Sequence, residues 1–307
     1  MRTSLFTFLG DSVRASAIDD YVHDLRSLRD EGFDSAWTVQ LPWEHDALTT
    51  LAVALREVDG MTLGTGVQPI QIRQPMALAQ AALTLNLIGA GRFRLGIGLT
   101  HALICDGMWG IPWDRPARRL NEYLDGLLPL LAGREADATG ELYTTRGRVG
   151  VPGATAPPVY VAAMGPQMLR IAGRRTAGTI TWMTGPRTLA QHIVPTIRAA
   201  AAEVDRQAEI VAALPVCVTD DVAKVREIAT EAYAHFGTLP SYRAMLDREG
   251  VKGPEDVALI GNENALAERV AEIRAAGVTE FAAHVFGPGD EERARTRAFL
   301  RDPGSRD

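Results

Sequence analysis

The chain predicts an α/β fold, a (β/α)8 TIM barrel, from three observations. Short apolar runs alternate with longer stretches of helical period, the alternation repeats eight times, and it fits within 307 residues. An open doubly wound sheet shows the same alternation and is the alternative.

The first run, Leu5-Phe6-Thr7-Phe8-Leu9, stops at Gly10-Asp11 and reads as strand one. It is too short to span a bilayer and no small-residue cleavage site follows it, so neither an anchor nor a leader is expected. Ala15 to Glu31 carries Ile18, Val22, Leu25 and Leu28 at helical spacing, and Gly32 stops it. Ser35 to Val39 is strand two, followed by a helix with Leu48, Leu51, Val53 and Leu55. Met61 to Val67 is strand three, Ala77 to Leu87 a helix, and Phe93 to Ile97 strand four. Asp114 is placed to cap the next helix, with Pro116 in its first turn and Leu120, Leu124, Leu127 and Leu131 as an inward stripe. Val159 to Ala163 and Thr179 to Met183 are strands five and six. Helix Thr188 to Val204, strand Val211 to Val218, helix Val222 to Phe236, strand Val278 to Val285 and helix Glu291 to Leu300 complete the series. Two inserts interrupt it: Gly133 to Ala156, hairpin-like, and Gly237 to Asn264, with a short helix of its own. No linker splits the chain, so one domain over 1–307 with lids at the barrel mouth is expected.

Composition narrows the function. Hydrophobic content of 46% suits one large core, and a net charge of −6 argues against nucleic acid or an anionic membrane as partner. Small molecules remain as partners. Cys105 and Cys217 stand far apart, outside any disulfide or metal spacing, which fits a reducing cytoplasm. No set of histidines and carboxylates has metal-ligand spacing, and no Ser or Cys sits in a nucleophile elbow.

Chemistry in such a barrel belongs to the carboxyl ends of the strands. Pro157 to Pro166 reads as a buried strand ending in a glycine turn that opens a helix. The first N–H groups of that helix have no intrahelical partner and lie at the positive end of its dipole, so they suit a phosphate. Gly64, Gly66, Gly96, Gly98 and Gly165 gather at neighbouring strand ends. Residues without a β-carbon there read as a floor that a planar ring can approach. Gly96-x-Gly98 lacks the third glycine of a dinucleotide fingerprint and is discounted as one.

Gly64-Thr65-Gly66-Val67, Gln74-Pro75 with Leu83-Thr84-Leu85, Gly91 to Gly98, and the Pro157 to Pro166 block with Ala172-Gly173 and Gly178 resemble the bacterial luciferase-like flavin and deazaflavin oxidoreductases. The resemblance covers nearly the whole chain. Thr181 to Pro186, Leu214 to Asp221 and Leu239 to Arg243 are similar to the branch that uses the deazaflavin coenzyme F420. It implies a homodimeric barrel with the cofactor across its mouth and a non-prolyl cis peptide at Gly66-Val67. Ala163, Met164, Gly165 and Pro166 would hold the ribityl phosphate. Gln40, Gly66, Val67, Gly98, His101, Trp182 and Met183 would lie about the ring, and Arg170 and Arg174 are available to the acidic tail. The implied reaction is delivery of hydride from reduced F420 to a C=C or C=N bond. FMN with oxygen, as a monooxygenase, is the alternative, and a non-catalytic flavin-binding protein the second.

Alcohol-oxidising relatives place Asp-His after strand two, where this chain has Gln40-Leu41. Neither can take a hydroxyl proton near neutral pH, which disfavours alcohol oxidation. His101 and His45 are the candidate proton donors, with Glu44 beside the latter. His23, His192 and His235 are expected on the surface and His284 as a satisfied core group. Trp43, Trp109, Trp113, Tyr242 and Met245 are expected to line an apolar substrate pocket.

Overall fold

A computed structural model describes residues 1–9 and 17–302. The Gly10-Asp11 stop and the expected start of the first helix at Ala15 lie outside them. In chain order the structure runs β1 (Arg2–Thr7), α1 (Ala17–Asp30), β2 (Ser35–Thr38), α2 (Ala47–Glu57), β3 (Thr62–Thr65), β4 (Gln68–Pro69), α3 (Pro75–Ile88) and β5 (Phe93–Gly98). It continues through α4 (Ala102–Cys105), α5 (Pro116–Leu131), β6 (Ala136–Thr139), β7 (Thr144–Gly147), β8 (Val159–Ala162), α6 (Pro166–Arg175) and β9 (Gly178–Trp182). The remainder is α7 (Pro186–Thr188), α8 (Val194–Ala202), β10 (Glu209–Val218), α9 (Val222–Tyr233), α10 (Pro240–Glu249), β11 (Leu259–Gly261), α11 (Glu263–Ala275), β12 (Glu280–Val285) and α12 (Asp290–Leu300).

Eight parallel strands close into a barrel in the order β1-β2-β3-β5-β8-β9-β10-β12. Closure is made by β12, which pairs with β10 through Val211↔Glu280 and with β1 through Arg2↔Glu280. The doubly wound alternative, whose sheet has two free edges, is therefore excluded. Strands walled on both faces carry near-continuous apolar runs, as in Ala36-Trp37 and Ile210 to Leu214.

Three local readings need correction. The cap of α5 is Arg115, in the left-handed region at φ 45°, while the Asp114 carboxylate accepts from Arg119 at 2.8 Å and from Arg115 at 3.0 Å. The helix expected over Thr188 to Val204 is broken into α7, a π-turn at Leu189–Ile193, and α8. Pro195 lacks the N–H that would bond the Gln191 carbonyl, so the turn before it widens. The second insert holds β11 besides its helix, on the edge of β10 through Val216↔Leu259. The first insert is a hairpin as expected, with β6 and β7 antiparallel. Among the described residues no helix is long and apolar enough to cross a membrane.

Candidate active site

The carboxyl ends of the strands surround a cavity of about 70 Å3. Its floor is Gly66 and Val67, followed round the mouth by Ala162 and Met164 and then by Ile180, Thr181 and Trp182 of β9. The Gly66-Val67 peptide is cis, as the resemblance implies. Phe6 walls one side and Tyr242, from α10 in the second insert, covers the opening.

The glycines of the floor answer to protein packing. A β-carbon on Gly64 would come 2.6 Å from the Trp37 ring, on Gly66 2.8 Å from the Phe6 ring, and on Gly96 1.9 Å from the Thr65 carbonyl oxygen. On Gly98 it would lie 2.8 Å from Val67. These positions are bare because neighbouring side chains and backbone already fill the space, which corrects the reading that they were cleared for a ring. Gly165 differs, since nothing lies within 4 Å of its β-carbon position.

That open position is where β8 passes into α6. Gly165 caps the helix with extended backbone and no side-chain hydrogen bond, and Pro166, at the first position, has no N–H to leave unpaired. The turn is held from both sides. Thr179 Oγ1 donates to the Ala163 carbonyl at 3.0 Å, and the His192 Nε2 lies 2.8 Å from the Met164 carbonyl oxygen. The π-turn puts His192 there, so this histidine is a structural partner of the turn where a surface role was expected. Arg174 pairs with Glu203 at 2.5 Å, whereas Arg170 is exposed on the same helix.

An aromatic cluster fills the mouth beside the cavity. Trp182 stacks on Phe6 at 5.1 Å and 14°, and Phe8, Tyr233, Phe236 and His284 meet it edge-on. His284 Nδ1 sits 3.1 Å from the Phe6 carbonyl oxygen, the satisfied core position expected of it. The lid is pinned by Glu249, which accepts from the Thr188 N–H at 2.7 Å and the Arg187 N–H at 3.1 Å, so α10 caps α7. Tyr242 then packs on His101, ring centroids 5.4 Å apart, and on Phe236 at 5.3 Å. Burial raises the Tyr242 phenol above its ordinary value and keeps it protonated. Burial, and then His235, lower the pKa of His101, so its imidazole is neutral at pH 7.

The other anticipated residues are dispersed. His45 is exposed outside the cavity, and Glu44 accepts from the Leu9 N–H at 3.2 Å. Gln40 is spent within its own loop, accepting from the Ala47 N–H at 2.8 Å. Met183 is fully buried beneath the mouth with φ 53°. Of the five residues expected to line a substrate pocket, Tyr242 alone reaches the cavity, while Trp43 is 64% exposed and Met245 is core. His23 and His235 are exposed. Burial pushes the Cys217 thiol up to about 11, which removes it as a nucleophile. Among the described residues no cluster of three metal-binding side chains occurs.

Sequence reasoning passed over Phe6, Ile180, Thr181 and the fully buried Gln68 beside Val67. Gln68 has neither amide atom hydrogen-bonded, and Thr181 Oγ1 and Trp182 Nε1 are likewise buried without partners. Only the burial of polar groups marks them, and no local pattern shows that.

Residues 2–280 match the luciferase-like monooxygenase family. The chain is 27% identical over 248 residues to a 5,10-methylenetetrahydromethanopterin reductase of Methanolobus tindarius, covering 80% of this chain and 75% of that one. The fold superposes on the coenzyme F420-dependent tetrahydromethanopterin reductase of Methanopyrus kandleri with a TM-score of 0.82 at 21% identity, over 98% and 97% of the two chains. An F420-dependent secondary alcohol dehydrogenase in complex with an F420-acetone adduct gives a TM-score of 0.80 at 20% identity over the full length of both. With the match spanning most of the sequence and the barrel closed in the same way, the chain belongs to the luciferase-like monooxygenase family of enzymes.

Proposed function

We propose that the protein is a coenzyme F420-dependent oxidoreductase in which the reduced deazaflavin delivers hydride to a C=C or C=N bond of a small organic molecule. The observation that carries this reading is the continuity of the cavity with the β8–α6 turn. Met164 lines the cavity, and the next residue, Gly165, opens onto free space at an uncapped helix end. A ring against Met164 and a phosphate at Gly165 would meet consecutive residues of the chain, which suits a cofactor with a planar head and a phosphorylated tail.

When bound, the cofactor supplies the two-electron chemistry. The protein's part is to hold it and to exclude water with Tyr242 and the aromatic cluster, while His101 beside Tyr242, once protonated from solvent, would be the proton donor. Neither Gln40 nor Leu41, directly after β2, can take a hydroxyl proton, so reduction fits this site better than alcohol oxidation. Fluorescence titration with F420 and, separately, FMN is the test. Tight binding of F420 with weak FMN binding is expected; preference for FMN would move the protein to monooxygenase chemistry, and binding of neither would overturn the cofactor assignment itself.

We also infer a homodimer in the cytoplasm. Exposed Val53, Leu87 and Ile88 on α2 and α3 support the first, and two buried free thiols the second. Sedimentation at a monomer mass would refute the dimer.

A further inference from the structure

We propose that a second cavity, at the opposite end of the barrel from the candidate active site, binds a small phosphorylated molecule through the guanidinium groups of Arg198 and Arg206. The inference does not depend on the cofactor reading.

The place of this cavity follows from chain order. Arg198 and Ala201 lie on α8, Arg206, Gln207 and Ala208 on the segment that enters β10, and Thr279 just before β12, so the lining belongs to the amino ends of the strands. These six residues surround an open space of about 390 Å3, against about 70 Å3 at the mouth. Small-molecule sites commonly measure about 300–1,000 Å3.

Both guanidinium groups are held in place by backbone. α8 ends in a turn with Asp205 left-handed at φ 54°, and the Arg206 N–H closes it on the Ala201 carbonyl oxygen at 3.0 Å. Arg206 Nη2 then donates to the Thr176 carbonyl oxygen at 3.1 Å. Arg198 Nη2 donates to the Gly277 carbonyl oxygen at 2.8 Å, and a β-carbon on Gly277 would come 2.9 Å from Arg198 Nη1, so the guanidinium lies directly against that glycine. A guanidinium has five N–H donors, and these bonds leave the others for a ligand. Both side chains are exposed, so a ligand meets them without any opening of the protein.

No acid cancels the two charges within the cavity. Glu203 pairs with Arg174 at 2.5 Å and Glu209 with Arg2 at 2.6 Å, and Asp205 between them is not part of the lining. In a chain of net charge −6, a space walled by two cations and no carboxylate runs against the average surface and favours an anion. The planar fork of a guanidinium matches phosphate, and two forks match a dianion with three free oxygens better than a monocarboxylate with two. The buried Ala201 and Ala208 and the Gln207 amide then offer an apolar floor and one polar contact to the organic body.

Calorimetric titration of the wild-type protein at neutral pH with phenyl phosphate, benzoate and phenol tests this. Phenyl phosphate should saturate at one molecule per chain and bind about tenfold more tightly than either other probe. Arg198→Gln and Arg206→Gln should each weaken it about tenfold, and Arg198→Lys, which keeps the charge and loses the fork, about threefold. Arg170→Gln removes the same charge from α6, and Gly165→Ala closes the place proposed for the cofactor phosphate; neither should change the affinity. In the wild-type protein phenyl phosphate should also protect Arg198 and Arg206 from phenylglyoxal, read by mass spectrometry, a measurement that needs no variant to fold. Absence of saturable binding, benzoate bound as tightly as the phosphate, affinity unchanged in both glutamine variants, an equal loss in Arg170→Gln or Gly165→Ala, or no protection from phenylglyoxal would each overturn the proposal.

Discussion

Trp37 Nε1 donates to Glu280 Oε1 at 2.6 Å across the barrel interior, between residues 243 positions apart in the chain. Glu280 is fully buried, and its other oxygen accepts from Arg94 at 2.8 Å and from Arg2 at 3.1 Å. The bond joins β12 to β2 across β1, and so ties the strand that closes the barrel to the first half of it. Burial alone would raise the Glu280 carboxyl, but Arg94, the Trp37 N–H and Arg2 together hold it below the ordinary glutamate range.

Glu280→Gln should therefore lower stability by about 2–3 kcal/mol at pH 7, because Arg94 keeps its charge inside the barrel without its anion. A depressed carboxyl pKa contributes stability that is complete above the unfolded value, about 4.3, and is lost as pH falls through the lower folded value. Urea unfolding of both proteins should show the largest gap at neutral pH, narrowing below about pH 4. A gap that does not change with pH would mean that the charge is not the source of the effect.

The glycines of the mouth should separate into two kinds. Gly66→Ala places a β-carbon 2.8 Å from Phe6, at a cost of about 1–3 kcal/mol for overpacking. Gly165→Ala meets nothing, and with φ −74° it should leave the melting temperature within about 1 °C. The same change puts a methyl group where the cofactor phosphate is proposed to lie, and F420 affinity should drop about tenfold. Unchanged affinity in this variant would move the phosphate elsewhere.

His192 should act on the cofactor through Met164. Its Nε2 is 2.8 Å from the Met164 carbonyl oxygen and comes from a π-turn outside the cavity lining. His192→Phe removes that tie and should weaken F420 binding about threefold to tenfold, the loss of roughly 1 kcal/mol, with little effect on catalysis by the saturated enzyme. A fall in kcat at saturating cofactor would instead place His192 nearer the chemistry.

His101 and His235 should titrate as neighbours. Burial comes first and His235 second in lowering the pKa of His101. A histidine held below its unfolded value, about 6.5, costs stability as pH falls beneath that value, since the buried ring resists its proton. His235→Asn removes the second cause, so the His101 midpoint, followed by its imidazole NMR signals, should move up towards 6.5. A midpoint that stays put would show that burial acts alone.

Much of this molecule is legible in its sequence. Apolar runs of period two or none and stripes of period three to four follow from local backbone geometry, so the eight βα units and both inserts could be placed before any coordinates. The turn at Gly165 could be found because a glycine and a proline at a strand-to-helix junction act on their own neighbours. What the sequence could not show is which distant groups meet. The floor glycines are dictated by Trp37, Phe6, Thr65 and Val67 pressing on them, Tyr242 covers the cavity because Glu249 pins α10 to α7, and His192 reaches Met164 because Pro195 widens a turn. Glu280 lies in a run that reads as core strand, and its charge is tolerable only because closure brings Trp37, Arg94 and Arg2 to it. Backbone periodicity is set residue by residue and survives in one dimension, whereas hydrogen bonds and packing across the barrel depend on the register with which β12 meets β1, and that is decided only when the sheet closes.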